Sequence, residues 1–251
     1  MDHDASPGAG ERSTTATLAD VSRHASTPTR GRFITIEGPE GAGKTTQAIH
    51  LEGFLRDRGV PVLRTREPGG TPLGERIRDL LLDPGASRID ALADAFLFNA
   101  ARHQLVADII APALAAGTTV ICARFADSTR AYQGSGSGVP LDDLRDLAAI
   151  ATGGLEPDLT VLLDVPVEIG LGRKAPDDRT RFETAFDLAF HRRVRDGFLA
   201  MAVAEPSRFA VVDGTASEDA VAARIERVVG RIVNVKRPAN EPIPPVARMP
   251  P

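Results

Sequence analysis

The chain has no tryptophan, one tyrosine and one cysteine, Cys122, in 251 residues. A lone cysteine excludes an intramolecular disulfide and a thiolate metal cluster, and inside an apolar run it fits an inert buried thiol in a reducing compartment, so a cytoplasmic location is expected. No run approaches the roughly 18 apolar residues of a membrane span, and nothing repeats at a solenoid period. Residues 1–30 lack the apolar stretch that a signal peptide needs, and Asp2, Asp4, Glu11 and Asp20 argue against a transit peptide. The formal net charge of -4 gives no electrostatic footprint for nucleic acid or an anionic membrane. Neither partner is expected, and any bound phosphate must be held locally.

What is present reads as one globular domain with tails. Residues 1–30, rich in Ser, Thr, Ala, Asp and Gly, read as a disordered N-terminal tail. Residues 234–251 read as a Pro-rich C-terminal tail, with six prolines in the sixteen residues "KRPANEPIPPVARMPP". Between them, over 31–233, the apolar runs "RFITIEG", "PVLRTREPGG", "TTVICARF", "LTVLLDVP" and "RFAVVDG" alternate with longer helical stretches such as "LADAFLFNAARHQLVADIIAPALAAG". "TASE" at 215–218 resembles a capping box opening the last helix. Alternating strand and helix predicts an α/β fold, a parallel five-stranded sheet with helices on both faces. Ligands of such sheets bind beyond the carboxyl ends of the strands.

After the first strand comes "GPEGAGKTT", in which Gly38, Pro39, Glu40, Gly41, Ala42, Gly43, Lys44 and Thr45 fit G-x-x-x-x-G-K-[ST] between a strand and a helical pattern. Such a loop turns backbone N–H groups toward an anion at a helix N-terminus. Lys44 then reaches the β and γ phosphates of ATP, and the Thr45 hydroxyl can bind Mg²⁺. The structural alternative is a glycine-rich turn with a chance Lys-Thr. "GSGSG" at 134–138 has no strand before it and reads as a flexible turn. No N-K-x-D follows a later strand, so guanine selection has no support. Glu40 would repel phosphate unless it serves a second ligand, such as a hydroxyl or water on an acceptor.

The other strand ends supply that acceptor side. "TREPGG" puts Arg66 and Glu67 at a strand terminus, with Arg76 and Arg78 on the helix that follows. Phe98, Ala101, Arg102 and Leu105 share one helical face, suited either to base stacking beside a phosphate-binding arginine or to a core ring with a snorkelling guanidinium. Arg124 follows the third strand, and Asp127, Thr129, Tyr132 and Gln133 give polar reach for a base edge or sugar.

Taken in order, "IEGPEGAGKTTQ", "TREPGGTPLGERIRDLLL", "FLFNAARHQL", "DSTRAYQG", "PDLTVLLDVP" and "RFE...VRDGFLAMA" resemble the bacterial thymidylate kinase (dTMP kinase) family over residues 32–233. The resemblance implies a P-loop nucleoside monophosphate kinase fold, a homodimer, and transfer of the ATP γ-phosphoryl group to dTMP, with Mg²⁺, giving dTDP and ADP. It assigns Gly38 to Thr45 to ATP, with Lys44 catalytic and Thr45 on the metal. It puts Glu67 near the acceptor sugar and phosphate, Arg78, Arg102 and Arg124 around the acceptor phosphate, Phe98 on thymine, and Thr129 and Gln133 near the base. It also implies catalytic arginines in a mobile lid, here Arg179 and Arg181 within residues 174–183.

Two departures stand out. The family's Asp-Arg-aromatic motif reads Ala123-Arg124-Phe125, so a carboxylate expected near Mg²⁺ is missing, and Ser137 stands where an arginine is usual. Asp164 reads either as a substitute metal anchor or as a strand-end cap. The alternatives to an active dTMP kinase are a nucleotide-binding paralogue with impaired catalysis and a kinase for another nucleoside monophosphate. With Arg124 kept and the carboxylate lost, dTMP binding should stay near intact while turnover falls. Ala123→Asp should raise steady-state turnover by ~10 to 10³; equal rates in the two proteins would refute this role for position 123.

Overall fold

The computed structural model describes residues 30–85 and 88–233. The strands are β1 (Phe33–Glu37), β2 (Val62–Arg66), β3 (Thr119–Ala123), β4 (Leu159–Asp164) and β5 (Phe209–Asp213). The helices are α1 (Lys44–Asp57), α2 (Pro72–Leu82), α3 (Ala91–Leu105), α4 (Ala111–Ala115), α5 (Ala126–Thr129), α6 (Leu141–Thr152), α7 (Val167–Gly172), α8 (Arg181–Thr184), α9 (Leu188–Ala204) and α10 (Glu218–Val229). All strand pairs are parallel, in the order β2-β3-β1-β4-β5. Every run expected to be a strand is one.

Side-chain alternation divides the core. Ile34 and Ile36 of β1, Ile121 of β3, and Leu159, Val161 and Leu163 of β4 face Ala48, Leu51 and Leu55 of α1 and Val221, Ile225 and Val229 of α10. Phe33, Val120 and Cys122 face the opposite way, onto Leu105, Ile110 and Leu114, and Leu162 and Phe209 pack with α9 through Val194, Phe198 and Met201. A period of two along strands covered on both sides produces this division. The α3 stretch continues into α4 through a π-helical turn, Val106–Ile110, in which Ala111 N–H donates to Val106 C=O. Pro112 follows at once, and its missing N–H is absorbed where the ladder has already shifted.

Three expectations need correction. Arg30, counted with the N-terminal tail, is part of the described structure and donates to Asp158 at 3.0 and 3.2 Å. The rest of that tail and the Pro-rich segment 234–251 lie outside the described residues. "TASE" forms no capping box: the N-cap of α10 is Ser217 with no side-chain cap bond, Thr215 bonds to Asp213, and Glu218 meets His50 Nε2 at 2.6 Å.

"GSGSG" is not a loose turn. Its first three residues complete a π-helical segment, Arg130–Gly136, in which Gly134 and Gly136 are buried. A Cβ on Gly136 would lie 2.6 Å from Phe190 Cε2 and 2.9 Å from Val194 Cγ2 of α9, so glycine serves close packing there. A second close approach joins the phosphate loop to α7: a Cβ on Gly41 would sit 1.8 Å from Gly170 C=O, and one on Gly170 would sit 2.2 Å from Glu40 C=O. Gly136→Ala should therefore cost about 1–3 kcal/mol by overpacking, read as a loss of denaturant midpoint; an unchanged midpoint would return the segment to a loose turn.

Candidate active site

The carboxyl ends of β1, β2 and β3 open onto one cleft of about 270 Å³. The phosphate loop forms one wall, with Glu40, Gly41, Ala42, Gly43, Lys44 and Thr45 all lining it. At the head of α1 no side chain caps the helix and no acidic residue occupies the first turn, which leaves the amides and the helix dipole to an anion. Lys44 is folded back, its Nζ donating to the carbonyls of Gly38 at 2.9 Å and Pro39 at 2.6 Å. Burial and the neighbouring Arg124 charge push its ammonium down to about 7.

Among the described residues no group of three or more His, Cys, Asp or Glu could hold a metal. The exposed Thr45 offers one hard oxygen beside Lys44. That donor set fits a divalent cation whose remaining ligands are phosphate oxygens and water.

The facing wall comes from the ends of β2 and β3. Arg124 has φ 73°, alone among the described non-glycine residues in lying at positive φ, and this turn sends its guanidinium across the cleft. Nη2 donates to Glu40 Oε1 at 2.6 Å and to the Tyr132 hydroxyl at 3.3 Å, and Nη1 donates to Ser128 Oγ at 3.2 Å. The Tyr132 hydroxyl donates in turn to Glu40 Oε1 at 2.9 Å. Burial works to raise the Glu40 carboxyl, but Arg124, Lys44 and Lys174 outweigh it and hold the group well below the usual carboxylate range. Arg78 donates to Pro68 C=O at 2.9 Å and lines the cleft, as do Arg66, Glu67 and Ala123.

Phe98, Thr129 and Gln133 line it too. Phe98 lies 6.2 Å from the Phe182 ring, Thr129 Oγ1 accepts from Arg102, and Gln133 Nε2 donates to Asp94 at 3.0 Å.

Arg102, expected at the acceptor phosphate, is 1% exposed and lies behind the wall. It donates to Glu67 Oε2 at 2.9 Å, Asn99 Oδ1 at 2.7 Å, Phe125 C=O at 3.1 Å and Thr129 Oγ1 at 3.0 Å. A guanidinium has five N–H donors, and these bonds engage its Nε and both terminal nitrogens. Burial pushes Glu67 up to about 7 against the attraction of Arg102. Arg181, expected to be catalytic, is also buried, donating to Leu81 C=O at 2.9 Å and Asp94 Oδ1 at 2.6 Å. Arg179 is exposed and outside the cleft lining. Asp164 receives a two-pronged bond from Arg195 at 2.7 and 2.9 Å, which makes it an ion-pair partner at the end of β4. Near Ser137, Arg193 of α9 donates twice to Gly136 C=O, at 3.1 and 2.9 Å.

The lining residues that the sequence reading did not nominate include Ser128, Lys174 and Phe182. Lys174 Nζ bonds Glu183 and lies 3.8 Å from Glu40 Oε2. Glu183 also accepts from Thr180 N–H and Oγ1 at 2.7 Å, closing a capping box on α8. The spacing T-x-x-E at 180–183 was the available signal for it. Beneath the wall, Glu37 is fully buried and accepts from Phe125 N–H at 2.7 Å and Ser128 Oγ at 2.6 Å. Burial, then Asp127, pushes its carboxyl up to about 7 from 4.5.

A loop built to cradle phosphates faces an arginine-rich wall across a shared cleft, at the strand ends of a parallel sheet. That arrangement makes the protein a P-loop phosphotransferase of the nucleoside monophosphate kinase type. The family model described as thymidylate kinase matches residues 36–225. A thymidylate kinase of Deinococcus radiodurans is 55% identical over 200 residues, covering 78% of this chain and 95% of that one. One of Thermomicrobium roseum is 52% identical over 203 residues, covering 80% and 95%. The crystal structure of the Ehrlichia chaffeensis thymidylate kinase superposes with a TM-score of 0.65 at 36% identity, over 80% of this chain and 99% of that one. The chain belongs to the thymidylate kinase family, and its reaction is phosphoryl transfer from ATP to dTMP.

The raised Glu37 carboxyl has a consequence for stability. Between about pH 4.5 and 7 the folded chain keeps a proton that the unfolded chain gives up. This group therefore makes stability fall as pH rises through that window and leaves it level above. Urea unfolding should lose about 1–3 kcal/mol from pH 5 to pH 7.5, with a smaller loss in Glu37→Gln. An equal loss in the parent and in Glu37→Gln would show that Glu37 is not raised.

Proposed function

We propose that ATP lies with its β and γ phosphates in the loop Gly38–Thr45 and that dTMP lies opposite, its phosphate at Arg124 and Arg78. Phe98 stacks on thymine, Thr129 and Gln133 stand at the base, and Glu67 borders the sugar and phosphate. The observation that carries this reading is Arg124, which lines the cleft while bonded to Glu40 of the loop. It touches both halves of the site, where an in-line transfer needs positive charge.

Phosphoryl transfer asks little covalent chemistry of a protein, which aligns donor and acceptor and offsets charge on the transferring group. Lys44 leaves the carbonyls of Gly38 and Pro39 for the incoming phosphates. Arg124 and Arg78 offset the repulsion between two anionic reactants, and planar guanidinium forks suit phosphate oxygens. Bound Mg²⁺ supplies charge neutralisation on the phosphates, and Thr45 is the residue that would hold it. Arg102 acts through Glu67 and Thr129 by fixing the acceptor wall. In the lid, residues 174–183, Lys174 and Arg179 are the cations for the donor, while Arg181 anchors the lid base on Asp94 and Leu81. Closure excludes water and suppresses ATP hydrolysis.

The working form is a homodimer in the cytoplasm, with no nucleic acid or membrane partner. Leu92 and Phe96 stand exposed one turn apart on α3, as does Ile150 on α6, which packs on α3. No helix among the described residues is long and apolar enough to cross a membrane.

A coupled ADP-release assay with dTMP, dUMP, CMP, UMP and GMP tests the acceptor: dTMP should give the highest kcat/KM, and preference for another would overturn this assignment. Arg124→Ala should lower kcat/KM for dTMP by ~10²-fold or more. Phe96→Asp should shift sedimentation from dimer toward monomer, and an unchanged dimer would exclude the α3 face.

A further inference from the structure

Arg124 occupies a backbone conformation that its side chain disfavours. A non-glycine residue in the left-handed region costs on the order of 1 kcal/mol or more and persists where surrounding bonds determine it. The helix that follows, α5, has only four residues, and its N-cap, Phe125, makes no side-chain cap bond. Its first amide therefore needs an acceptor from elsewhere. Glu37, at the end of the adjacent strand β1, supplies that acceptor: Oε1 takes the Phe125 N–H and Oε2 takes the Ser128 hydroxyl. Ser128 Oγ then accepts from Arg124 Nη1 at 3.2 Å.

The two terminal nitrogens of Arg124 thus have different partners. Nη2 points to Glu40 and Tyr132, so an arriving phosphate competes with the Glu40 carboxylate for it. Nη1 is held by Ser128 at 3.2 Å, with the Gly38 C=O a longer partner at 3.5 Å; with Glu37 ionised the Ser128 hydroxyl proton is committed to it, leaving an oxygen lone pair turned to the guanidinium. Asp127, the other acid on this turn, is engaged by Arg208 at 2.6 and 3.0 Å and by Arg130 at 3.1 Å, and so does not draw Arg124 away.

We infer that Glu37 and Ser128 are positioning residues: through the Glu37, Ser128, Arg124 chain they fix the turn after β3 and keep one edge of the guanidinium anchored while the other changes partner from Glu40 to the acceptor phosphate. This rests on the reading of Arg124 as the acceptor-phosphate ligand. Glu37 is buried and does not line the cleft, so it does not itself touch the acceptor.

The experiment is a double-mutant cycle on KM for dTMP with ATP saturating. Ser128→Ala should raise KM for dTMP by ~5–10-fold with KM for ATP within about twofold, and Ser128→Thr, which keeps the hydroxyl, should recover most of the loss. In an Arg124→Ala background the same Ser128→Ala change should alter KM by less than about twofold, because its effect passes through the missing guanidinium. Glu37→Gln, which still accepts from Phe125 N–H but reverses the bond to Ser128, should show the same dependence on Arg124. An equal penalty in both backgrounds, or a lowered unfolding temperature with unchanged KM, would overturn the inference and leave the Arg124 assignment standing. An Arg124→Ala protein with parental KM and kcat for dTMP would overturn both.

Discussion

The contact between Arg124 and Glu40 joins the two halves of the cleft, and the rest of the site is arranged around the problem it solves. A pocket for two phosphorylated reactants must concentrate positive charge at the strand ends, and before ligands arrive that charge needs anions from the chain itself. Glu40 answers for Arg124 and Lys174, while Glu67 and Asp94 answer for Arg102 and Arg181 in the interior. The partners differ in access. Glu40 and Arg124 line the cleft, so their bond is open to exchange for a phosphate, whereas Arg102 is sealed behind the wall and holds it in shape.

Much of this was legible from the sequence because it depends on local pattern. Five apolar runs, each ending in glycine, proline or charge, located the strands, and the parallel sheet with helices on both faces followed from their alternation with amphipathic stretches. The phosphate loop was legible because its chemistry needs fixed residue types at fixed spacing. Arg124 follows a strand end and Phe98 shares a helical face with Arg102, but the places of Arg124, Arg78 and Phe98 at the acceptor were implied by the family resemblance. Spacing does not say how deep a side chain lies, however. Arg102 and Arg181 carry the same charge as Arg124, and only the positions of Glu67 and Asp94 in space decide that those two turn inward.

The remaining misses share that origin. Lys174 looked like one charge in a polar stretch, and its place beside Glu40 depends on the capped turn at Thr180–Glu183 bringing the lid over the loop. "GSGSG" looked like a loose connection because glycine permits flexibility as readily as close packing, and the deciding neighbours, Phe190 and Val194, lie more than fifty residues later. "TASE" had the letters of a cap, but Asp213 had already taken Thr215. Ala123 is the converse case: the sequence alone exposed its oddity, while in space it is simply a small residue on the cleft wall, bonded through its carbonyl to Glu67 N–H.

The contact of Gly41 with Gly170 bears on how this protein can vary. The phosphate loop and α7 meet backbone to backbone, with space for no carbon beyond Cα on either side. A change at one position is not relieved by trimming its neighbour, since the neighbour has no side chain to trim. Divergence there requires the whole of α7 to retreat, and the lid that follows it in the chain would be displaced with it. Two glycines, one in the phosphate loop and one on α7, thus limit the lid sequences that can be grafted onto this loop, and a chimera between relatives would have to take the loop, α7 and lid as one cassette.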